Sequence, residues 1–168
     1  NKFDINCGAH IFSPTRQKWD NIEKKYLDFI KSINNPILRH IFFYFVHYYI
    51  EGHDYYHNSD PSHRSGACHY LMHWLQEKKD LFTYGGTCTI NRRLWEVNFN
   101  KLWELITYEG HYNIVKNKNI MKPWCEYYSL NKYTIYPSEV NFSDCDKIIS
   151  QKIDCSFLSL PPYEKECN

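Results

Sequence analysis

What the chain lacks excludes whole classes of function. Twenty lysines and arginines against 19 aspartates and glutamates leave a net charge of +1. That is no field with which to gather nucleic acid or an anionic bilayer, and both are set aside as partners. No apolar run reaches the ~20 residues a membrane-spanning helix needs; the longest, Ile41 to Ile50, is interrupted by His47. No phosphate loop is present, since Tyr84-Gly85-Gly86-Thr87 is too short for the G-x-x-x-x-G-K-[ST] pattern. No zincin motif is present either: His69 and His73 have the spacing, but Tyr70 stands where the general-base glutamate would be. Cys-x-x-Cys pairs, from which structural zinc sites draw their ligands, are missing. So are internal repeats, low-complexity tracts and any linker that would divide the chain.

Other starting points for catalysis fail one by one. Cys68 and His69 are sequence neighbours, which on a helix point about 100° apart rather than at each other. No Ser-His-Asp order can be argued, and Glu104 and Glu109 read as ordinary helix-surface carboxylates. His69 and His73 read as exposed helical histidines, and His53, His57 and His63 as solvated polarity in a loop. The expectation is a protein that is not an enzyme, with no catalytic residues, no cofactor and no metal.

What is present in excess is aromatic. Rings make up 18% of the 168 residues, with 15 tyrosines and 10 phenylalanines, and hydrophobic residues 43%. Such a chain is long enough to bury a core, and that core must be largely ring packing. Seven cysteines, Cys7, Cys68, Cys88, Cys125, Cys145, Cys155 and Cys167, are spread singly along it. Scattered cysteines argue for disulfides and an oxidising compartment over reduced buried thiols. Seven is odd, so at least one has no internal partner, and the pairing cannot be read from spacing. The chain begins at Asn1 with no initiator Met or signal sequence and stops just after Cys167, which suggests a trimmed ectodomain.

Periodicity predicts helices over Gln17–Ile33, Ile37 to about Gly52, Cys68–Phe82, Leu94–Ile106 and Ile120–Leu130, with a last one from Ser143 or Asp144 to about Cys155. Asn34-Asn35-Pro36 ends the first helix and starts the second, which is apolar on nearly every side and reads as the centre of the core. Leu71, Trp74, Leu75, Leu81 and Phe82 form one stripe, and Leu94, Trp95, Phe99, Leu102, Trp103 and Ile106 another, with the glycine pair between them as the turn. Gly52 to Gly66 reads as a polar loop, Tyr112 to Asn119 as a connector or a continuation of helix, and Asn131 to Phe142 as an extended crossing segment. The fold class expected is all-α: a single disulfide-stabilised bundle of about five to six helices with long irregular loops, forming one extracellular domain over residues 1–168. Asn141-Phe142-Ser143 is the one N-x-[ST] sequon, with a glycan on Asn141 or an unmodified loop as the alternatives.

The run Ala67-Cys68-His69-Tyr70-Leu71-Met72-His73-Trp74-Leu75 resembles the Plasmodium interspersed repeat family, particularly its vivax-type variant surface proteins. Members share a pattern close to A-C-x-Y-L-x-x-W-L, matched here at Ala67, Cys68, Tyr70, Leu71, Trp74 and Leu75. The similarity continues through Lys79-Asp80-Leu81-Phe82-Thr83-Tyr84-Gly85-Gly86, Leu94-Trp95-Glu96 and Lys101-Leu102-Trp103, and Cys125 in Trp124-Cys125-Glu126-Tyr127-Tyr128 looks like a further family cysteine. The resemblance implies a mostly helical extracellular domain of a variable antigen on the infected erythrocyte or parasite surface. It implies adhesion, host-receptor engagement or immune evasion, and no catalytic residue. Membrane attachment would come only through an anchor this sequence does not contain.

A binding module needs exposed aromatics and arginine on a rigid frame, and a variable one is expected to carry them on loops. The candidates are Tyr55, Tyr56 and Arg64 in the polar stretch, with Tyr133 and Tyr136 in the extended one. The competing expectation is that these tyrosines fold back on the helices. The partners expected are a host cell-surface or immune receptor and antibodies; the alternative function is antigenic display with no fixed ligand.

Overall fold

The computed structural model describes residues 22–117 and 120–140, together with Asn6, Phe12 and Cys145. The expected helix over residues 143–155, the glycan site Asn141, and Cys7, Cys155 and Cys167 lie outside these residues. Among the described residues there are four helices, α1 (Lys24–Ser32), α2 (Pro36–Tyr56), α3 (Pro61–Phe82) and α4 (Thr89–Thr107), and one antiparallel hairpin, β1 (Asn113–Asn117) and β2 (Ile120–Pro123). The described residues are mostly helical, as expected, with four helices among them where five to six were expected of the whole chain, and with a small sheet that was not expected.

The junction of α1 and α2 is built from local chemistry. The Asn35 side chain accepts the Leu38 backbone N–H at 3.0 Å and caps α2, while Pro36 sits at the first position, where no N–H is needed. Arg39, one turn later, donates through Nε and Nη2 to the Ile33 carbonyl at 2.9 and 2.7 Å. The last turn of α1 is thereby fastened to the first turn of α2.

α2 is the centre. Leu38, Phe42, Phe45, Val46, Tyr48 and Tyr49 are all completely buried, so its middle turns are enclosed on nearly every face, with Phe43 the partly exposed residue among Ile41–Ile50. Its rings meet those of α4 edge-on, Phe42 with Trp95 at 5.3 Å and Phe45 with Phe99 at 5.5 Å, and Tyr48 meets Trp74 of α3 at 5.1 Å. Edge-to-face contact of this kind adds attraction beyond the area buried. Both stripes read from the sequence are largely present. Leu71 and Leu75 of α3 and Trp95, Phe99, Leu102 and Ile106 of α4 are buried, while Trp74, Leu94 and Trp103 pack partly buried against them. Leu81 departs from its stripe and stands 64% exposed.

Two other expectations are corrected. The polar loop from Gly52 to Gly66 is not a loop: α2 runs on through Gly52 to Tyr56, and α3 starts at Pro61, leaving residues 57–60 as the connection. Gly52 is a glycine for packing, since a Cβ there would lie 2.5 Å from the Trp124 ring. The helix expected over Ile120–Leu130 is absent. Asn113–Asn117 and Ile120–Pro123 pair as the hairpin, with Ile114 opposite Lys122 and Val115 opposite Met121, and the chain from Trp124 to Val140 is irregular. Tyr112–Asn119, left between connector and helix, is largely the first strand of that hairpin. No helix among the described residues is long and apolar enough to cross a membrane.

Candidate functional site

The irregular chain from Trp124 to Val140 is strapped along α3, and the attachments can be followed in order. Trp124 enters the core with 3% exposure, donates its indole N–H to the Tyr49 carbonyl at 3.0 Å and closes the pocket over Gly52. Next to it Cys125 is disulfide-bonded to Cys68 of α3 with Cα atoms 5.1 Å apart, and its carbonyl accepts the Tyr49 hydroxyl at 3.2 Å. Tyr128 stacks on the His69 ring and its hydroxyl hydrogen-bonds His69 Nδ1. Gln76 donates to the Lys132 carbonyl at 2.6 Å. Asp80 then holds Thr134 with both carboxylate oxygens, one accepting the backbone N–H at 2.7 Å and the other the hydroxyl at 2.6 Å.

The far end rests on the turn between α3 and α4. Tyr84, Gly85 and Gly86 have φ values of 51°, 65° and 75°, a left-handed run that two glycines make affordable. The turn also needs them for space. A Cβ on Gly85 would come within 2.5 Å of the Thr134 carbonyl, and one on Gly86 within 3.1 Å of the Tyr133 ring. A second disulfide joins Cys88, which follows this turn, to Cys145.

This geometry sorts the five residues expected to bind a receptor. Tyr55 is 61% exposed on the last turn of α2, but Tyr56 is buried at 9%. Arg64 spends its guanidinium on the carbonyls of His57 and Ser59, at 3.2 and 2.8 Å, closing the α2–α3 connection. Tyr133 lies half-buried on Gly86 with the Lys79 ammonium 5.8 Å from its ring centre, and Tyr136 lies half-buried against Gly85. Of the five, only Tyr55 is freely presented. The two groups do not share a surface: Arg64 and Lys79 are fifteen helical residues apart, about 22 Å along α3. The strap instead exposes aliphatics that the sequence did not single out, Ile135 at 94% and Val140 at 45%. The signal that could have pointed to Ile135 is its position in a stretch with neither helical nor strand period.

Among the described residues, three groupings of ionisable side chains bear on a site. Glu23, Glu109 and His111 could converge on a cation, but the Lys25 ammonium already lies between the carboxylates, 3.2 Å from Glu23 and hydrogen-bonded to Glu109. That bond raises the Lys25 pKa and lowers that of Glu109, so the cluster is an ion-pair network closed by its own cation. On α2, His53 and His57 stack with ring centres 4.7 Å apart. On α3, His69 and His73 meet edge to face at 4.3 Å. Burial is the main cause that lowers the pKa of His53, partly offset by Asp54. Burial likewise lowers that of His73, assisted by His69 and Lys132.

A histidine whose folded pKa lies below its unfolded value of about 6.5 takes up its proton first in the unfolded chain. Its contribution to stability is therefore present above that pH and is lost as the pH falls through the folded value. The urea midpoint should drop between pH 7.5 and pH 5.5, and the drop should shrink in His53→Gln and again in His53→Gln/His73→Gln. An undiminished drop in the double variant would assign the effect to other groups.

The class these features define is a disulfide-braced helical frame carrying a fixed irregular strap. Comparison with protein-family models, with curated proteins and with solved structures finds no match.

Proposed function

We propose that this chain is the receptor-binding ectodomain of a variant surface antigen, displayed by a malaria parasite or its host erythrocyte and engaging a host cell-surface or immune receptor. The family resemblance over Ala67–Trp103 supplies the class. The observation that carries the binding role is Ile135, an aliphatic side chain left 94% in water on a segment whose backbone is fixed one residue earlier by Asp80 and whose flanking rings rest on Gly85 and Gly86. An apolar group presented on a preorganised backbone can bind a partner without the entropic cost of ordering a loop. Loops on a rigid scaffold are also where sequence can vary without loss of the fold.

The test is a receptor array probed with the folded, oxidised chain. A saturable host receptor is expected, with affinity falling about tenfold or more in Ile135→Asp, the loss of a central apolar anchor, and little in Tyr55→Ser. Reactivity with antibodies alone would replace this reading with antigenic display without a fixed ligand. A receptor bound equally well by Ile135→Asp would move the interface off the strap.

A further inference from the structure

On the strapped face of α3, His69 and His73 are one turn apart, and their Nε2 atoms approach to 2.9 Å. The ring centres are only 4.3 Å apart. The two Nε2 atoms share one N–H···N hydrogen bond, whose donor depends on the tautomer. The other nitrogen of His69, Nδ1, is engaged by the Tyr128 hydroxyl, whose ring also stacks on the imidazole. Metal-binding histidines are held in this way, with the second ring nitrogen donating to an oxygen that fixes both the tautomer and the ring plane.

We propose that His69 and His73 form a chelating site for a divalent transition-metal ion, with Tyr128 orienting the first ligand. With Nδ1–H of His69 donating to Tyr128, the His69 Nε2 carries a free lone pair. The metal-free pair then shares the one proton on His73 Nε2. Shifting that proton to His73 Nδ1 frees the second lone pair with no net proton loss, and two N–H···N partners become two N–metal bonds. The neutral form of each imidazole is the one a metal requires. Nitrogen ligands at about 2.0–2.1 Å held at right angles lie about 2.9 Å apart. That bite suits the tetragonal preference of Cu²⁺ and Ni²⁺. Lys132 opposes a cation here, since it already acts against protonation of His73. The Lys132 side chain is exposed and flexible enough to swing away. The site is independent of the receptor reading.

The full oxidised chain is titrated with Ni²⁺ by calorimetry and with Cu²⁺ by electron paramagnetic resonance. One saturable site is expected, with hyperfine splitting from imidazole nitrogen in the Cu²⁺ spectrum. His73→Ala should weaken binding at least tenfold and Tyr128→Phe severalfold, whereas His57→Ala should leave it unchanged, because His57 Nε2 already faces the Asn58 amide at 2.7 Å. Melting temperatures in a chelator establish that the variants are folded. No saturable binding, binding that survives His73→Ala, or binding lost with His57→Ala would each overturn the proposal.

Discussion

Trp124→Ala should lower the unfolding free energy by about 3–5 kcal/mol, the range for deleting a buried large aromatic. The residue is 3% exposed, its ring centre lies 5.5 Å from that of Tyr49, and its indole N–H is paired with a helix carbonyl. It is also the reason α2 carries a glycine near the end of an otherwise bulky core helix. Gly52→Ala should by itself cost about 1–3 kcal/mol through overpacking, because the added methyl would sit 2.5 Å from the indole. The two effects are coupled through one contact, so the glycine penalty should vanish, or become a small gain, in the Trp124→Ala background. Urea denaturation of the four proteins in the cycle measures this. Equal Gly52→Ala penalties in both backgrounds would show that the indole is not what the glycine accommodates.

Replacing Cys68 and Cys125 together by alanine should cost about 3–4 kcal/mol. The cysteines are 57 residues apart, and closing a loop of that length in the unfolded chain is worth about 4 kcal/mol in the chain-entropy account. The value falls somewhat below that because the Cys88–Cys145 bridge still restrains an overlapping stretch of the same unfolded chain. The double replacement avoids leaving a thiol in the position of Cys125, which is buried at 1%. The check is the urea midpoint together with amide exchange at Thr134. Its N–H is bonded to Asp80, and it should lose protection if the bridge holds the strap down. Full protection at Thr134 would mean that Asp80, Gln76 and the glycine turn secure the strap without the bridge.

The helical frame was legible because its signals are local. Asn35-Pro36 announces a cap and a first turn, and the 3.6-residue recurrence of Trp95, Phe99, Leu102 and Ile106 announces a buried face. Three features were illegible for physical reasons. Residues 53–55 and 62–65 are polar because they lie at helix ends near solvent, and polarity without period imitates a loop. Gly52 imitates a helix terminator because the ring that fills its place lies 72 residues further along the sequence, Gly52 to Trp124. Trp124, Cys125 and Tyr128 fall at helical spacing, yet each is claimed by a distant partner, Tyr49, Cys68 and His69 respectively. Those claims outweigh the propensity of a short segment that already begins on a strand ending at Pro123. The extended character of residues 131–142 was legible, but what that stretch is strapped to was not, since its attachments are long-range pairs. The exposed Ile135 follows from the strap and from nothing in its immediate neighbours.

The order of the bridged cysteines along the chain, Cys68, Cys88, Cys125 and Cys145, makes the two disulfides interleave, neither loop enclosing the other. A protease that cuts the backbone once anywhere between Cys68 and Cys145 therefore releases nothing. A nick before Cys88 is spanned by the first bridge and a nick after Cys125 by the second. A nick between them, as at the exposed Glu109-Gly110 turn, is spanned by both. The covalent continuity of this surface survives cleavage of the chain that builds it.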